Sequence, residues 1–254
     1  MRSLLILLIL VTSCGTHKSH RSTSALERLQ ARRDAYTAQK VAYKHRCDKL
    51  TFRALLSAFG PRQAIEEHEY VPGQFHRDVT PCYPSDSRSE ISLDGYISVG
   101  HHIYTYNDRE MLGRVIEYGR EHKWIMGDGP TEYTNIYALV PILYKLRDTY
   151  ELNTYTDILQ GYKGHVALML LLLKARVYGY LNNLEYSVLK QIYLSNPSNP
   201  LYSAVYHRYT DGDYTEVLNI LEGIEDVSGT ATWGWGSAPD VIVFITTVGI
   251  IEDR

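Results

Sequence analysis

One stretch of this sequence is apolar on every side of a helix, and it limits the folds that the chain can adopt. Val166 to Leu173 reads VALMLLLL, and good helix formers follow it. A helix that is apolar all round has to be buried, and this run is too short to cross a membrane. The sequence therefore predicts a central buried helix with several other helices packed around it.

Amphipathic stretches on both sides of this run supply the surrounding helices. Leu50 to Phe59 predicts a helix that ends at Gly60-Pro61, and Leu184 to Leu194 predicts another. Ile103 to Gly119 and Tyr206 to Gly223 each read as the end of one helix, a short polar turn and a second helix. That is an αα-hairpin used twice, so the predicted class is all-α, built of helical hairpins.

Polar residues followed three positions later by an acid predict where helices begin. The pairs with this spacing are Asn107 with Glu110, Asp213 with Glu216, and Ser237 with Asp240. Ser92 predicts the N-cap of an earlier helix, and residues 132–150 predict a helix kinked at Pro141. Tyr70 to Ser89 predicts a long loop. The final run VIVFITTVGII is rich in β-branched residues, which favour a strand. The Pro just before it favours a helix start, so we expect a helix.

The N-terminus predicts export and lipid attachment. Arg2 precedes an apolar run from Leu4 to Val11, which is a signal-peptide core and too short for a transmembrane helix. Val11-Thr12-Ser13-Cys14 resembles the lipobox of bacterial lipoproteins. The resemblance implies cleavage before Cys14 and acyl chains on that residue, which anchor a protein stably. Gly15 is not the Asp that retains such lipoproteins in the inner membrane, so the expected location is the outer membrane, facing the periplasm.

These features predict that the chain is divided into three segments. Residues 1–13 are the signal peptide, residues 14–46 a lipidated tether and basic helical stalk, and residues 47–254 the helical-hairpin domain. Lys18 to Arg53 holds ten Lys and Arg against three acids, whereas from Ala54 onward 15 basic and 26 acidic residues remain. A basic neck can bind nucleic acid, but a location outside the cytosol argues against that partner.

Cys47 and Cys82 are the two cysteines that remain after Cys14. In an oxidising periplasm they can form a disulfide between the neck and the loop around Cys82. Two lone cysteines carry no metal-ligand spacing, and Asp211-Gly-Asp213 lacks the rest of a calcium loop. We therefore expect no metal and no cofactor.

The segment from Asp94 to Thr105 carries the first candidate site. At helical spacing Asp94, Ser98, His101 and Thr105 share one narrow polar stripe. Asp94 and His101 are two turns apart, about 10 Å, which is too far for a direct hydrogen bond. The alternative is that Asp94 interacts with the helix dipole and that His101 and His102 lie on the surface.

Two loops carry the other candidates. Trp124 is expected to end a helix, followed by a turn at Asp128 and a new helix from Thr131, although turn chemistry explains Asp128 equally well. Trp233 and Trp235 lie in a Gly-rich loop, where they either cover the core or stack on a ligand. With 22 Tyr against 4 Phe, the chain is also rich in rings with a polar tip, which suit saccharide or protein clefts.

Helical hairpins with Gly-Asp turns, a DGY sequence opening a helix and a late Trp-Gly-Trp loop resemble the α/α-toroid proteins that act on carbohydrates, over Asp94 to Phe244. The resemblance implies a partial toroid, because the mature chain is too short for twelve helices. An enzyme of this kind needs two carboxylates across a cleft. The residues implied are Asp94 and Asp128 as carboxylates, His101 as a hydroxyl or leaving-group contact, and Trp124, Trp233 and Trp235 as stacking platforms.

The rival interpretation is a non-catalytic helical lipoprotein that binds a glycan, cell-wall or protein partner through an aromatic-rich cleft. The short chain favours this binding role over the glycoside hydrolase or lyase.

Overall fold

Helices dominate the part of the chain that the structure describes, which confirms the all-α class. The structure is a computed structural model that describes residues 27–35, 49–59, 62, 64–77, 91–127, 134–147, 164–210 and 212–223. Its helices are α1 (residues 27–35), α2 (Lys49–Phe59), α3 (Leu93–Tyr106), α4 (Arg109–Glu121), α5 (Val140–Leu146), α6 (Gly164–Tyr178), α7 (Asn183–Ser195), α8 (Pro200–Tyr209) and α9 (Thr215–Glu222). No helix among these residues is long and apolar enough to cross a bilayer.

Helix α6 lies at the centre, as its all-round apolar sequence predicts. Every residue from Ala167 to Ala175 is buried, and α6 packs against α3, α5, α7 and α8. Helix α3 approaches it closely at Gly100, where an added Cβ would lie 2.8 Å from Leu173 Cδ2. The helices that follow α6 contact one another in chain order, which is the packing of successive hairpins.

The turn between α3 and α4 places the helix start one residue later than its sequence predicts. Asn107 is the left-handed C-cap of α3, with φ of 49°, and Asp108 is the N-cap of α4. The Asp108 carboxylate accepts a hydrogen bond from Met111 N at 2.9 Å. Asn tolerates the left-handed conformation better than most residues, so Asn107 ends one helix and the prediction that it caps the next is wrong.

A small β-hairpin occupies the start of the predicted loop. Strands β1 (Glu69–Val71) and β2 (Gln74–Phe75) pair antiparallel around Gly73, whose φ is +84°. The buried Tyr96 of α3 holds this hairpin, because its hydroxyl donates to Gly73 O and accepts from Phe75 N, both at 3.1 Å. The prediction of a loop without secondary structure is therefore wrong for residues 70–75.

Pro141 begins a helix, so the predicted kink within a longer helix is wrong. Helix α5 starts at Val140 with the proline in its first turn, where a missing N–H costs nothing. The chain before it is extended instead: Asn135 forms an antiparallel bridge with Ile125, and Met126 N donates to Thr134 O at 2.9 Å.

A buried ion pair joins α6 to α7. Lys174 Nζ lies 2.7 Å from Glu185 Oε2, and the two side chains are 4% and 0% exposed. Glu185 also completes a capping box: its carboxylate accepts from Asn182 N at 2.7 Å, and Asn182 Oδ1 accepts from Glu185 N at 3.0 Å. Lys174 donates further to the carbonyl of Tyr180. One glutamate therefore caps α7 and neutralises the lysine of α6.

The described part of the N-terminal stalk is helical and packs against the helical domain. In α1, Leu29 is fully buried and Arg32 Nη1 donates to the carbonyl of Leu221 in α9 at 3.1 Å. The predicted helix start at Ser237 and the run that follows it lie outside the described residues.

Candidate functional site

Three residues of the polar stripe of α3 are buried (Asp94, Ser98 and His101), and so is His102, so the prediction that His101 and His102 lie on the surface is wrong. His101 is fully buried: its Nε2 is 3.1 Å from Met169 O, and its Nδ1 is 3.0 Å from Arg176 Nη1. This geometry fits a neutral ring that donates from Nε2 and accepts at Nδ1. Burial, reinforced by the nearby Arg176 charge, holds the pKa of His101 well below its usual value. His101 therefore stays uncharged and links α3 to α6.

Arg176 completes this internal link. Its Nη2 donates to Thr105 Oγ1 at 2.8 Å, and its guanidinium lies 4.7 Å from the ring centre of Tyr104. The Asp-Ser-His-Thr pattern that looked like a cleft lining is thus bound by a helix about seventy residues further along the chain.

Asp94 pairs with a different histidine. Its Oδ2 lies 3.8 Å from Nε2 of His165, at the shared N-terminal end of α3 and α6. Burial alone would raise the pKa of Asp94, but interactions with His165 and Ser92, together with the Arg77 charge, hold it below its usual value. Asp94 is therefore an ionised carboxylate beside a histidine whose side chain is 32% exposed. An ionised carboxylate beside a partly exposed imidazole is a pair of groups that can take part in acid–base chemistry.

Tyr202 of α8 places its hydroxyl against Gly164, the residue before His165. An added Cβ on Gly164, the residue before His165, would lie 3.1 Å from Tyr202 Oη. Burial raises the pKa of Tyr202, so this phenol is protonated and can donate. No short sequence motif joins Asp94 to His165, because they come from different helices, and the packing of α3 on α6 brings them together.

Trp124 makes packing contacts in the structure. It follows the end of α4 in a left-handed conformation, with φ of +62°. Its ring covers Gly119, where an added Cβ would meet Trp124 Cε3 at 2.3 Å, and it meets the Tyr144 ring edge-on at 5.9 Å. Trp124 therefore packs between α4 and α5, and its predicted role as a stacking platform stays a prediction.

The other predicted site residues lie outside the described residues. These are Asp128, Trp233, Trp235, Cys14, Cys47 and Cys82. The pairing of Asp94 with Asp128 and the disulfide therefore stay predictions.

An open groove of about 620 Å³ runs between the β-hairpin and α4, and we call it the hairpin groove. It is lined by Val71, Pro72, Gln74, Arg114, Glu117, Tyr118, Glu121 and His122. The Tyr118 and His122 rings stack with their centres 3.9 Å apart and their planes 14° from parallel. Glu117 and Glu121 lie one helical turn apart and are exposed. The groove thus combines a flat aromatic surface with two carboxylates.

Arg114, the one Lys or Arg among the lining residues that the structure describes, is neutralised. Arg114 binds Glu69 through two bonds, Nε to Oε1 at 2.7 Å and Nη2 to Oε2 at 2.8 Å. Glu69 Oε1 also accepts from Gly73 N at 2.8 Å, which ties the hairpin turn to α4. Glu117 and Glu121 therefore give the hairpin groove a net negative charge. Sequence patterns could not reveal this groove, because one wall is a hairpin of two very short strands.

Within the described ranges, no group of three or more His, Cys, Asp or Glu residues is placed to hold a metal ion. No protein family, characterised protein or solved structure matches the chain.

Proposed function

We propose that this chain is a bacterial lipoprotein, anchored to the outer membrane through acylated Cys14 and facing the periplasm. Its helical domain binds a glycan of the cell envelope, such as peptidoglycan, in the hairpin groove. The observation that carries the binding role is the stacked Tyr118–His122 pair beside two exposed carboxylates. A protein partner on the same aromatic surface is the other ligand class that this lining fits.

The chemistry of the groove favours a particular class of glycan. Aromatic rings provide a flat apolar surface, and carboxylates accept hydrogen bonds from hydroxyl or amino groups. Glu117 and Glu121 repel uronic acids and other anionic sugars. We therefore infer that the groove binds neutral or amino-bearing sugar units, such as the N-acetylated sugars of peptidoglycan, and not carboxylate-bearing groups.

Removing both groove charges is expected to weaken glycan binding. In the full chain, purified in a neutral detergent, the double variant Glu117→Gln, Glu121→Gln should bind insoluble chitin or peptidoglycan at least about tenfold more weakly, because two charge-assisted hydrogen bonds are lost. Co-sedimentation measures the affinity. Glu216→Gln, an exposed glutamate of α9 remote in sequence from the groove, is the matched control and should bind like wild type. Equal affinities of the double variant and wild type would show that the hairpin groove is not the glycan site.

The lipid anchor has a separate expected result. Cys14→Ser should leave an uncleaved, unacylated precursor, because the modified residue is a cysteine thiol. Mass spectrometry of the expressed protein and fractionation of cell membranes measure the change. An unchanged mass and membrane fraction would show that Cys14 carries no lipid, without bearing on the groove.

The second candidate function is hydrolysis of a polysaccharide, with Asp94 and Asp128 as the paired carboxylates. The neighbouring His165 supports it, because an ionised Asp beside an imidazole suits acid–base chemistry. New reducing ends in the same glycan incubations would favour this enzyme over a binding protein.

A further inference from the structure

A second cavity, of about 380 Å³, lies where the end of α3 and the start of α4 meet α5 and α6. We call it the basic cavity, because Arg109 and Lys145 line it and none of the lining residues that the structure describes is acidic. Its volume falls within the range of about 300–1,000 Å³ that is typical of small-molecule sites. We infer that the basic cavity binds a small organic anion, a carboxylate or sulfonate carried on an apolar body.

Lys145 supplies the charge that is available to such a ligand. Its side chain is half-buried at the end of α5, and its Nζ lies 5.8 Å from the ring centre of Tyr178. Among the residues that the structure describes, no carboxylate forms an ion pair with it. A cation above an aromatic ring keeps its remaining N–H groups for an anion.

Arg109 also lines the basic cavity. Its Nη1 donates to the carbonyl of Leu146, which fixes the guanidinium next to the end of α5. Arg176 lies over the ring of Tyr104, which lines the cavity, so a further positive charge is close by. Arg109 and Lys145 thus give this cavity a positive charge in a chain whose net charge is −3.

The apolar part of the lining suits the body of the ligand. Tyr104 contributes a ring that is 39% exposed, and Leu146 and Val177 are half-buried at the wall. Ile103 and Leu112 close the floor and are almost completely buried. A ligand that places its acidic group at Lys145 can therefore cover these side chains and remove apolar surface from water.

The two cavities on α4 have opposite charge, so they select different ligands. The hairpin groove carries Glu117 and Glu121, whereas the basic cavity carries Arg109 and Lys145. An organic anion is repelled from the first and attracted to the second. The inference therefore does not depend on the proposed glycan site.

Calorimetry with naphthalene-1-sulfonate tests this site. The full chain in a neutral detergent is titrated with the sulfonate, and the heat from titrating empty micelles is subtracted. We expect saturable binding at one site, weakened at least about tenfold in Lys145→Ala by the loss of a charge-assisted contact. Lys145→Arg, which keeps the charge, should restore most of the affinity. Lys190→Ala, an exposed lysine of α7, is the matched control and should bind like wild type.

A neutral ligand of the same shape separates charge recognition from apolar binding. Naphthalene-1-methanol should bind at least about tenfold more weakly than the sulfonate, and Lys145→Ala should not change its affinity. Equal binding of the two compounds, or equal losses in Lys145→Ala and Lys190→Ala, would overturn the inference. Thermal unfolding of each variant shows whether a lost affinity comes from a lost fold, and a Lys145→Ala protein that melts with wild type but still binds the sulfonate fully would also overturn it.

Discussion

Glu185→Ala is expected to lower the free energy of unfolding by about 3–5 kcal/mol, the usual cost of leaving one member of a buried ion pair without its partner. Lys174 would keep its charge among buried side chains of α6, with the Tyr180 carbonyl as its remaining hydrogen-bond acceptor. The same change removes one half of the α7 capping box, because Asn182 N loses its acceptor. Urea denaturation of the full chain, followed by circular dichroism, measures the difference.

Two further variants distinguish the cost of leaving a buried charge without its partner from the cost of removing a whole pair or an exposed charge. Lys174→Met combined with Glu185→Leu removes both charges and keeps similar volumes, so it should destabilise far less than Glu185→Ala alone. Glu110→Ala breaks the exposed pair with Arg114, in which the Glu110 side chain is 89% exposed, and should cost at most about 1 kcal/mol. If Glu185→Ala were no more destabilising than Glu110→Ala, the buried pair would not stabilise the fold.

Gly73→Ala is expected to destabilise the protein by about 2–5 kcal/mol and to disrupt the hairpin groove. Two effects combine at this position. Gly73 has a φ of +84°, where an alanine is strained, and its added Cβ would lie 2.2 Å from the carbonyl oxygen of Arg114. Backbone atoms of α4 cannot move aside as a flexible side chain can, so the hairpin has to separate from the helix. Glycan co-sedimentation and urea denaturation should both report the change.

Gly179→Ala is the matched control for this substitution. Gly179 has nearly the same φ, +81°, but an added Cβ would have no atom within 4 Å. It should therefore show only the conformational cost of about 1–2 kcal/mol and keep full glycan binding. Equal destabilisation by the two substitutions would mean that the contact between the hairpin and α4 does not contribute to the stability of the fold.

The sequence predicts the structure best where the residues of one segment determine its conformation and burial by themselves. Helix α6 was predictable because a run that is apolar all round has no exposed face, so burial is its one stable state. The start of α3 after Ser92 was predictable for a local reason, since an N-cap and its first turn lie within a few residues. At α9 the N-cap is Tyr214, one residue after the predicted cap Asp213, whose Oδ1 accepts from Thr215 N at 3.1 Å.

The predictions were wrong where contacts with residues distant in the sequence determine the local structure. A polar stripe normally predicts a solvent-facing side, but Arg176 of α6 supplies hydrogen bonds that make burial of His101 acceptable. The hairpin around Gly73 depends on the Tyr96 hydroxyl, more than twenty positions away, and its strands are too short to leave a periodic pattern. The Asp94–His165 pair likewise needs the packing of α3 on α6, which no local spacing encodes.

The docking of α1 on α9 also limits how far the domain can stand from a membrane. Leu29 and Arg32 fix α1 to the helical body, so the reach from Cys14 to that body is limited by the number of positions between Cys14 and residue 27. Cys14 and Glu27 are thirteen positions apart, and a fully extended chain of that length reaches at most about 45 Å. With the lipid anchor proposed at Cys14, the domain would stay within that distance of the bilayer. Its glycan would have to come within that short reach.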